Sequence, residues 1–465
     1  MMKSFDVVVI GAGPGGYVAA IRASQCGLKT ALIEKDKDLG GTCLLRGCIP
    51  TKSLLHSADL YEEMQHAGDH GIVVKGLSFD FAGVQKARTK IVRKSAAGVA
   101  YLMKKNKIEV ISGYGKIKDK HTIEVEKDGK KESVAAKAII LATGSVPRHI
   151  PFAKVDGKHI VTSDELQLFK EPPKSLLVLG AGAVGVEMAS VFSRFGTQTT
   201  IVEMLDRVLP IEDKEVSEEL AKVLQKKGIE ILVSSKVEKI ETKKGHALVS
   251  LKTPKGQEEK KFETVLIAVG RAPVTENLGL ENVGLKANSK GFIDVNDMMQ
   301  TSVPNIYAIG DILPTAQLAH LASAEAMVAV NHFAGRHPQP IVATQVPSCT
   351  YCDPEVASVG LSEEAAIAQG YKVKVGKFPF SAIGKARIVG KVDGFVKVVS
   401  DARYDEVLGV HMIGVQATNL IAEACAALRL ECTTEELAHT IHPHPTLAEA
   451  VLEAAHATMG HAVHI

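Results

Sequence analysis

The stretch VVVIGAGPGG, residues 7–16, decides how this chain folds, because it occurs twice. It returns at residues 176–185 as LLVLGAGAVG, so Gly11, Gly13 and Gly16 correspond to Gly180, Gly182 and Gly185 at an offset of 169. In a chain with 40 glycines a single G-x-G-x-x-G is weak evidence. Each copy, however, follows a β-branched and leucine run, and each opens a helical pattern, YVAAIRASQCG and VEMASVFSRFG. A second apolar run then ends in an acid, Glu34 in TALIEK and Glu203 in TTIVEM, and these acids are also 169 apart. The complete strand–turn–helix–strand–acid unit is therefore duplicated, which chance does not supply.

The chemistry of the unit is specific. Its first glycine permits a tight turn, the second lets backbone N–H groups approach a pyrophosphate at a helix N-terminus, and the third lets helix pack on strand. The acid accepts from ribose hydroxyls. Two such units predict an α/β chain with two Rossmann-like domains, each binding a dinucleotide. Glu203 selects NAD at the second site, because a carboxylate there repels the 2′-phosphate of NADP. Arg207 lies four residues on and is read with Asp206 and Glu203 as a surface ion pair.

Bulk properties exclude several classes. The length of 465 residues suggests two to four domains, and 46% apolar with 23% charged residues is ordinary for a soluble globular protein. A net charge of +2 without a basic block gives no reason to propose nucleic acid or anionic membrane as a partner. The longest uncharged run, VVVIGAGPGGYVAAI, is shorter than a membrane span. A strand is expected within a few residues of the start, leaving no room for a signal or transit peptide unless one was removed. Seven cysteines are sparse and odd in number, which argues against a secreted disulfide framework and for a reducing compartment.

Two of those cysteines stand close behind the first unit, in GGTCLLRGCIPTK, residues 40–52. The four-residue gap between Cys43 and Cys48 is too long for a thioredoxin-type C-x-x-C, and no second cysteine pair or nearby histidine completes a zinc site. A dithiol beside a redox cofactor is a two-electron relay that exchanges with an external disulfide. Lys52, four residues after Cys48, shares its face if the segment is helical, although Pro50 makes that helix irregular at its start. An ammonium there favours thiolate.

Further along, AIILATGS (138–145) and TVLIAVGRAP (264–273) are apolar strands ending in glycine turns, the expected chain crossings out of each nucleotide domain. NIYAIGDI (305–312) is read as another strand, with Asp311 at its C-terminal end. After about residue 343, VASVGL, KVDGFVKVVSD and EVLGVHMIG are read as antiparallel strands, followed by a helix over ATNLIAEACAALRL, which makes a separate α+β domain. Near the end, HTIHPHPTLAEA offers His439, His442 and His444.

Together, GGTCLLRGCIPTK, the two fingerprints, ATGS, VGRAP, AIGDI, LAH, PEVASVG and HPHPTLAE resemble the FAD-dependent disulfide oxidoreductases over essentially the whole chain. The resemblance implies FAD at the first fingerprint, NAD at the second and a C-terminal α+β dimerisation domain. The implied domains are residues 1–148 (FAD), 149–271 (NAD), 272–343 (a central domain completing the FAD region) and 344–465 (interface). It implies that Cys43 exchanges with substrate, that Cys48 faces the flavin, and that Lys52 lies by the flavin paired with Glu187 on the first turn of the second nucleotide helix. Read alone, Glu187 would be an acid favoured by the helix dipole. Asp311 is implied to contact the ribityl chain, with Gly115, Thr143, Gly144 and Ala319 around FAD and with Val237 and Gly270 at the NAD site. The base is implied to be His444, oriented by Glu449, and to act on the cysteines of the partner subunit. His439 and His442 are read as structural.

Such a base is needed, because a thiol of pKa about 8.5 is only a few per cent ionised at neutral pH. The implied reaction is oxidation of a dihydrolipoyl arm with reduction of NAD. Its partners are the lipoyl domains of acyltransferases or of glycine-cleavage H-type proteins, and its place is the cytoplasm, or the mitochondrial matrix if a transit peptide was removed. A glutathione-type reductase would want basic residues in place of Glu203, a mercuric or thioredoxin-type member a further cysteine pair after Cys432, and a transhydrogenase no dithiol. Leu45-Arg46 stands where the family usually has Asn-Val, Thr51 where Ser is commoner, and Leu321 where Lys is frequent. Arg46 is expected to add charge near the dithiol and shift its potential. Cys349 and Cys352 in SCTYCDPEV are read as packing residues on opposite faces of a strand, and no metal is expected.

Overall fold

The computed structural model describes residues 2–465. The chain divides into two compact units, one of Met1–Ser53, Ala82–Arg148 and Arg271–Ile341, the other of Leu54–Phe81, His149–Gly270 and Val342–Ile465.

In the first unit, the apolar run after Lys3 forms the strand Lys3–Ile10, paired in parallel with Thr30–Glu34 on one side and Lys130–Leu141 on the other. Glu109–Ser112 extends the sheet beyond Thr30–Glu34, and Ile306–Ala308 pairs in parallel with Lys130–Leu141. Two further strands, Thr122–Lys127 and Tyr114–Asp119, add on antiparallel. Val7, Val8 and Val9 are fully buried, as expected of a parallel strand covered on both faces. The helix Pro14–Gln25 follows Gly13, with Pro14 at its first position, where a missing N–H costs nothing. It packs on the helix Ala319–Phe333. The crossing strands Ser145–Pro147 and Arg271–Pro273 pair antiparallel within this unit.

The second unit repeats the pattern. Ser175–Leu179 is flanked in parallel by Gln198–Val202 and Thr264–Ile267, with Glu230–Leu232 and Ile160–Val161 at the edges. The helix Ala183–Arg194 starts after Gly182. The first glycine of each turn has the same left-handed backbone, φ +104° at both Gly11 and Gly180. A Cβ would lie 2.2 Å from the Ala142 carbonyl oxygen at Gly11 and 2.5 Å from that of Ala268 at Gly180, so no side chain fits either position.

This unit also holds strands that the apolar pattern does not specify, those of a meander and Val373–Pro379. A three-stranded antiparallel meander runs through Lys236–Lys243, His246–Thr253 and Gly256–Phe262. In the C-terminal part, the three expected strands are Glu355–Gly360, Phe395–Asp401 and Val407–Gly414, and Ser348–Thr350 and Val373–Pro379 complete a five-stranded antiparallel sheet. The helices Ala417–Arg429 and Glu449–Thr458 pack on it. Among the described residues, no helix is long and apolar enough to cross a membrane.

Candidate active site

The first fingerprint and the cysteines are built into one another. Gly41, at φ +60°, lies so close to the glycine turn that a Cβ on it would stand 2.5 Å from the Gly13 Cα, and the Gly40 N–H donates to the Ala12 carbonyl at 2.9 Å. The short helix Gly41–Arg46 carries Cys43, and a second helix, Cys48–Gln65, begins at the other cysteine. Pro50 sits in the first turn of that helix, where proline is tolerated, so the helix starts regularly. Both cysteines are half-buried thiols. A hydrogen bond with Cys48, then burial and the Cys48 charge, push the Cys43 thiol well above the ordinary thiol range, while the Lys52 ammonium pulls the other way.

Glu34 ends the strand Thr30–Glu34, and its carboxylate accepts from Ala12 N–H at 2.7 Å and Asp36 N–H at 2.8 Å. Each carboxylate oxygen keeps a lone pair for a ribose hydroxyl. Gly115 packs against Ile10 and Ile33 at the ends of the two central strands, where a Cβ would stand 3.1 and 3.2 Å from their methyl groups. The Thr143 hydroxyl is committed to the Val274 carbonyl at 2.6 Å, and Gly144 turns at φ +73°. Ala319 opens the helix Ala319–Phe333. The strand containing Ile306 stops at Ala308, and a 3-10 turn, Gly310–Ile312, presents Asp311.

Three further residues, Ser145, Arg271 and Glu325, fix Asp311 and its turn. Ser145 donates its hydroxyl to Asp311 Oδ2 at 2.5 Å and accepts from Arg271 Nε at 2.6 Å. Buried Glu325 takes the Gly310 N–H at 2.6 Å. Burial, helped by the charge of Asp311, pushes the Glu325 carboxyl up to about 7 against the opposing hydrogen bonds from Gly310 and Thr315. The signal for Ser145 and Arg271 lay in ATGS and VGRAP, whereas Glu325 has none beyond being an acid in an apolar helix.

Arg46 departs from expectation. Its guanidinium is ion-paired with Asp36, which offsets part of the charge expected near the dithiol. Leu321 is a buried packing residue.

In the second unit, Glu203 accepts from Ala181 N–H at 2.7 Å and Leu205 N–H at 2.9 Å, reproducing the Glu34 geometry. Gly185 packs so that a Cβ would lie 2.1 Å from the Gly180 carbonyl oxygen. Gly270, at φ +98°, follows the strand Thr264–Ile267. Val237 is buried in an apolar cluster with Val202 and Ile267. Arg207 is ion-paired with Asp206 and Glu364, each at 3.1 Å.

Glu187 is the fifth residue of its helix, past the first turn, so the helix dipole does not account for it. Its buried carboxylate instead accepts the Tyr351 N–H at 2.9 Å. Cys349 lies in the strand Ser348–Thr350, but that strand ends before Cys352, which is buried with its thiol directed at the Pro354 carbonyl, 3.1 Å away.

In the C-terminal part of the chain, His444 Nδ1 lies 2.7 Å from Glu449 Oε1, and Glu449 Oε2 accepts the Thr446 N–H at 2.8 Å. Burial raises the Glu449 carboxyl, but the hydrogen bonds from His444 and Thr446 outweigh it and hold the group below the usual carboxylate range. The His444 side chain is 77% exposed, and nearby Ile441 is 95% exposed. His442 instead fixes the loop, with Nδ1 2.8 Å from the Thr440 carbonyl and Nε2 2.7 Å from Glu423. His439 ends the helix Thr434–His439 and is exposed.

Two dinucleotide turns, a thiol pair behind the first and a histidine–carboxylate dyad at the start of the helix Glu449–Thr458 mark a nucleotide-dependent disulfide oxidoreductase. Residues 5–326 match the pyridine nucleotide-disulphide oxidoreductase family and residues 346–455 its dimerisation domain, so the chain belongs to that family. The matched dimerisation domain supports a homodimer. The chain is 47% identical to a dihydrolipoyl dehydrogenase of Bacillus subtilis, with all of both chains covered. It is 43% identical to one of Thermus scotoductus over 100% of this chain and 99% of the relative. Against a mitochondrial dihydrolipoyl dehydrogenase of Arabidopsis thaliana identity is 40%, covering 99% and 91%. Among solved structures, LpdA of Mycobacterium tuberculosis superposes with a TM-score of 0.90 at 26% identity, covering 97% of this chain and 99% of that one. The HOCl-induced flavoprotein disulfide reductase RclA of Escherichia coli gives 0.88 at 26%, covering 98% and 99%.

Proposed function

We propose that the chain is a dihydrolipoyl dehydrogenase, oxidising a dihydrolipoyl arm to its cyclic disulfide and reducing NAD. The observation that carries this reading is the direct packing of the cysteine segment on the first glycine turn, Gly41 against Gly13. That contact supports a dithiol held beside the cofactor of that turn, and the identity to relatives named dihydrolipoyl dehydrogenase supplies the substrate.

The first turn fits FAD. Gly11 and Gly16 let the turn close on the Ala142 and Gly11 backbone, Gly13 leaves the helix N-terminus open for a pyrophosphate with no side-chain cap competing for its N–H groups, and Glu34 is oriented for a ribose. The second turn fits NAD by the same features, with Glu203 as its acid and Arg207 neutralised by Asp206 and Glu364. Bound FAD supplies a two-electron acceptor between dithiol and NAD.

The chain's own residues carry the thiol chemistry. In the oxidised enzyme Cys43 and Cys48 form a disulfide. One substrate thiolate attacks the Cys43 sulfur, and Cys48 leaves as thiolate. The second substrate thiol then closes onto the mixed disulfide, expelling Cys43 and leaving the electron pair on the enzyme dithiol. His444 takes the substrate proton, and Glu449 holds its ring with Nδ1–H toward the carboxylate so that Nε2 faces the thiol. The proton of the second substrate thiol goes to the expelled Cys43, whose thiol is held well above the ordinary range. Lys52, Asp311, Gly115, Thr143, Gly144 and Ala319 would hold FAD. Gly270 and Val237 would hold NAD.

The exposure of His444 on the dimerisation domain supports action on the partner subunit's dithiol. The substrate arm belongs to lipoyl domains of acyltransferases or H-type proteins, and the working location is the cytoplasm. NADH formation from dihydrolipoamide by the flavin-loaded protein tests the reading. Turnover supports it, and a flavin reduced by NADH but inert to dihydrolipoamide removes it.

A further inference from the structure

The internal repeat supplies its own control. In each unit the acid closing the β-α-β turn accepts two backbone N–H groups, Glu34 from Ala12 and Asp36, Glu203 from Ala181 and Leu205. The residue two beyond the acid therefore performs the same backbone role twice, but with different side chains. In the second unit it is Leu205, exposed and apolar. In the first it is Asp36, held from two sides by the Lys35 ammonium at 3.0 Å and by the Arg46 guanidinium. Burial opposes ionisation of Asp36, yet the Lys35 hydrogen bond and the Arg46 charge outweigh it and keep the carboxyl below its usual range.

Arg46 is the last residue of the helix that carries Cys43 and stands two positions before Cys48. A continuous line of contacts thus runs from the cysteine segment through Arg46, Asp36 and Glu34 to the N–H of Ala12 in the glycine turn. The extra side-chain link occurs in the unit that carries the dithiol and not in its duplicate.

We infer that the Arg46–Asp36 pair is a positioning tether that joins the cysteine segment to the ribose-holding carboxylate, so that flavin binding and thiol reactivity are coupled. The inference rests on the reading of the first turn as an FAD site. Coupling between two sites is reciprocal. Loosening the tether should weaken the hold on FAD and, equally, free the thiols.

The test compares wild-type holoenzyme with Arg46→Gln, Asp36→Asn, their double variant and Arg46→Lys. FAD release after dilution is followed by recovery of flavin fluorescence, and alkylation of the NADH-reduced dithiol by iodoacetamide is timed in parallel. For a partly exposed ion pair, each neutral single variant should release FAD about two- to fivefold faster. The double variant should be no faster than the faster single, Arg46→Lys should stay near wild type, and alkylation should accelerate in step. Salt at about 1 M should bring wild-type release toward the variants' rate and leave theirs unchanged. Wild-type release in both single variants, or additive effects in the double, would overturn the tether while leaving the FAD site standing. If Arg46→Gln does not fold, Asp36→Asn and the salt series decide alone. A wild-type protein that takes up no FAD would remove the cofactor reading, and the tether with it.

Discussion

His444 and Glu449 form a hydrogen-bonded dyad, Nδ1 to Oε1 at 2.7 Å, and the Thr446 N–H holds the second carboxylate oxygen at 2.8 Å. The carboxylate cannot rotate away without losing both bonds, so the ring is oriented before substrate arrives. Replacing His444 with Gln should lower dihydrolipoamide oxidation by about a hundredfold or more, within or above the usual range for general acid–base catalysis. Flavin reduction by NADH, a hydride transfer that needs no such base, should be largely spared, and stopped-flow measurement of each half-reaction separates the two. Glu449→Gln should act in the same half-reaction with a smaller loss, because the base remains and only its orientation is weakened. If the dyad serves the partner subunit, co-expressed Cys43→Ser and His444→Gln chains should recover activity in the purified heterodimer, which keeps one complete site.

Cofactor choice should follow from Glu203, whose carboxylate is oriented by the N–H groups of Ala181 and Leu205. A misplaced phosphate charge beside it should cost over about 1.4 kcal/mol, so NAD should exceed NADP at least tenfold in kcat/KM. Equal values for the two would remove Glu203 as the discriminating residue.

Glu325 should give stability a pH dependence that the acid limb of most proteins lacks. Its folded carboxyl is raised from 4.5 to about 7, chiefly by burial. The folded state therefore binds this proton more tightly than the unfolded state. Its contribution is complete below about pH 4.5 and is lost as pH rises through about 7, a loss on the order of a few kcal/mol. Glu325→Gln, whose amide oxygen can still accept the Gly310 N–H, should flatten the change in melting temperature between about pH 5 and 8. Parallel profiles for the variant and the wild type would contradict this.

What the sequence made legible was local or repeated. The duplicated glycine turn was visible because each unit sits within about thirty residues, a span typical of one β-α-β motif. The His444–Glu449 pairing came from the resemblance of HPHPTLAE to the family, since spacing alone leaves His439 and His442 open as well. The meander through residues 236–262 was not, because its outer strands, KVEKIETK and GQEEKKF, are rich in lysine and glutamate and offer no strong apolar run. Partners brought together by the fold were equally hidden. Nothing near Glu187 points to Tyr351, 164 residues away, and the charge of Arg46 was evident while its neutralising partner was not. The strand before Asp311 seemed longer than it is because the apolar pattern continues to Ile309, whereas Gly310, at φ +75°, turns the chain.

The central claim is that Cys43 and Cys48 carry electrons between the dihydrolipoyl arm and the flavin, and Cys43→Ser tests it most directly. Cys43 is a half-buried residue on a short helix. A serine there changes one atom, so the variant should fold and retain FAD. Anaerobic mixing of the flavin-loaded variant with NADH should still reduce the flavin. Mixing it with dihydrolipoamide should leave the flavin oxidised, while wild-type protein is reduced by either. Reduction of the Cys43→Ser flavin by dihydrolipoamide at the wild-type rate would show that the electrons take another route.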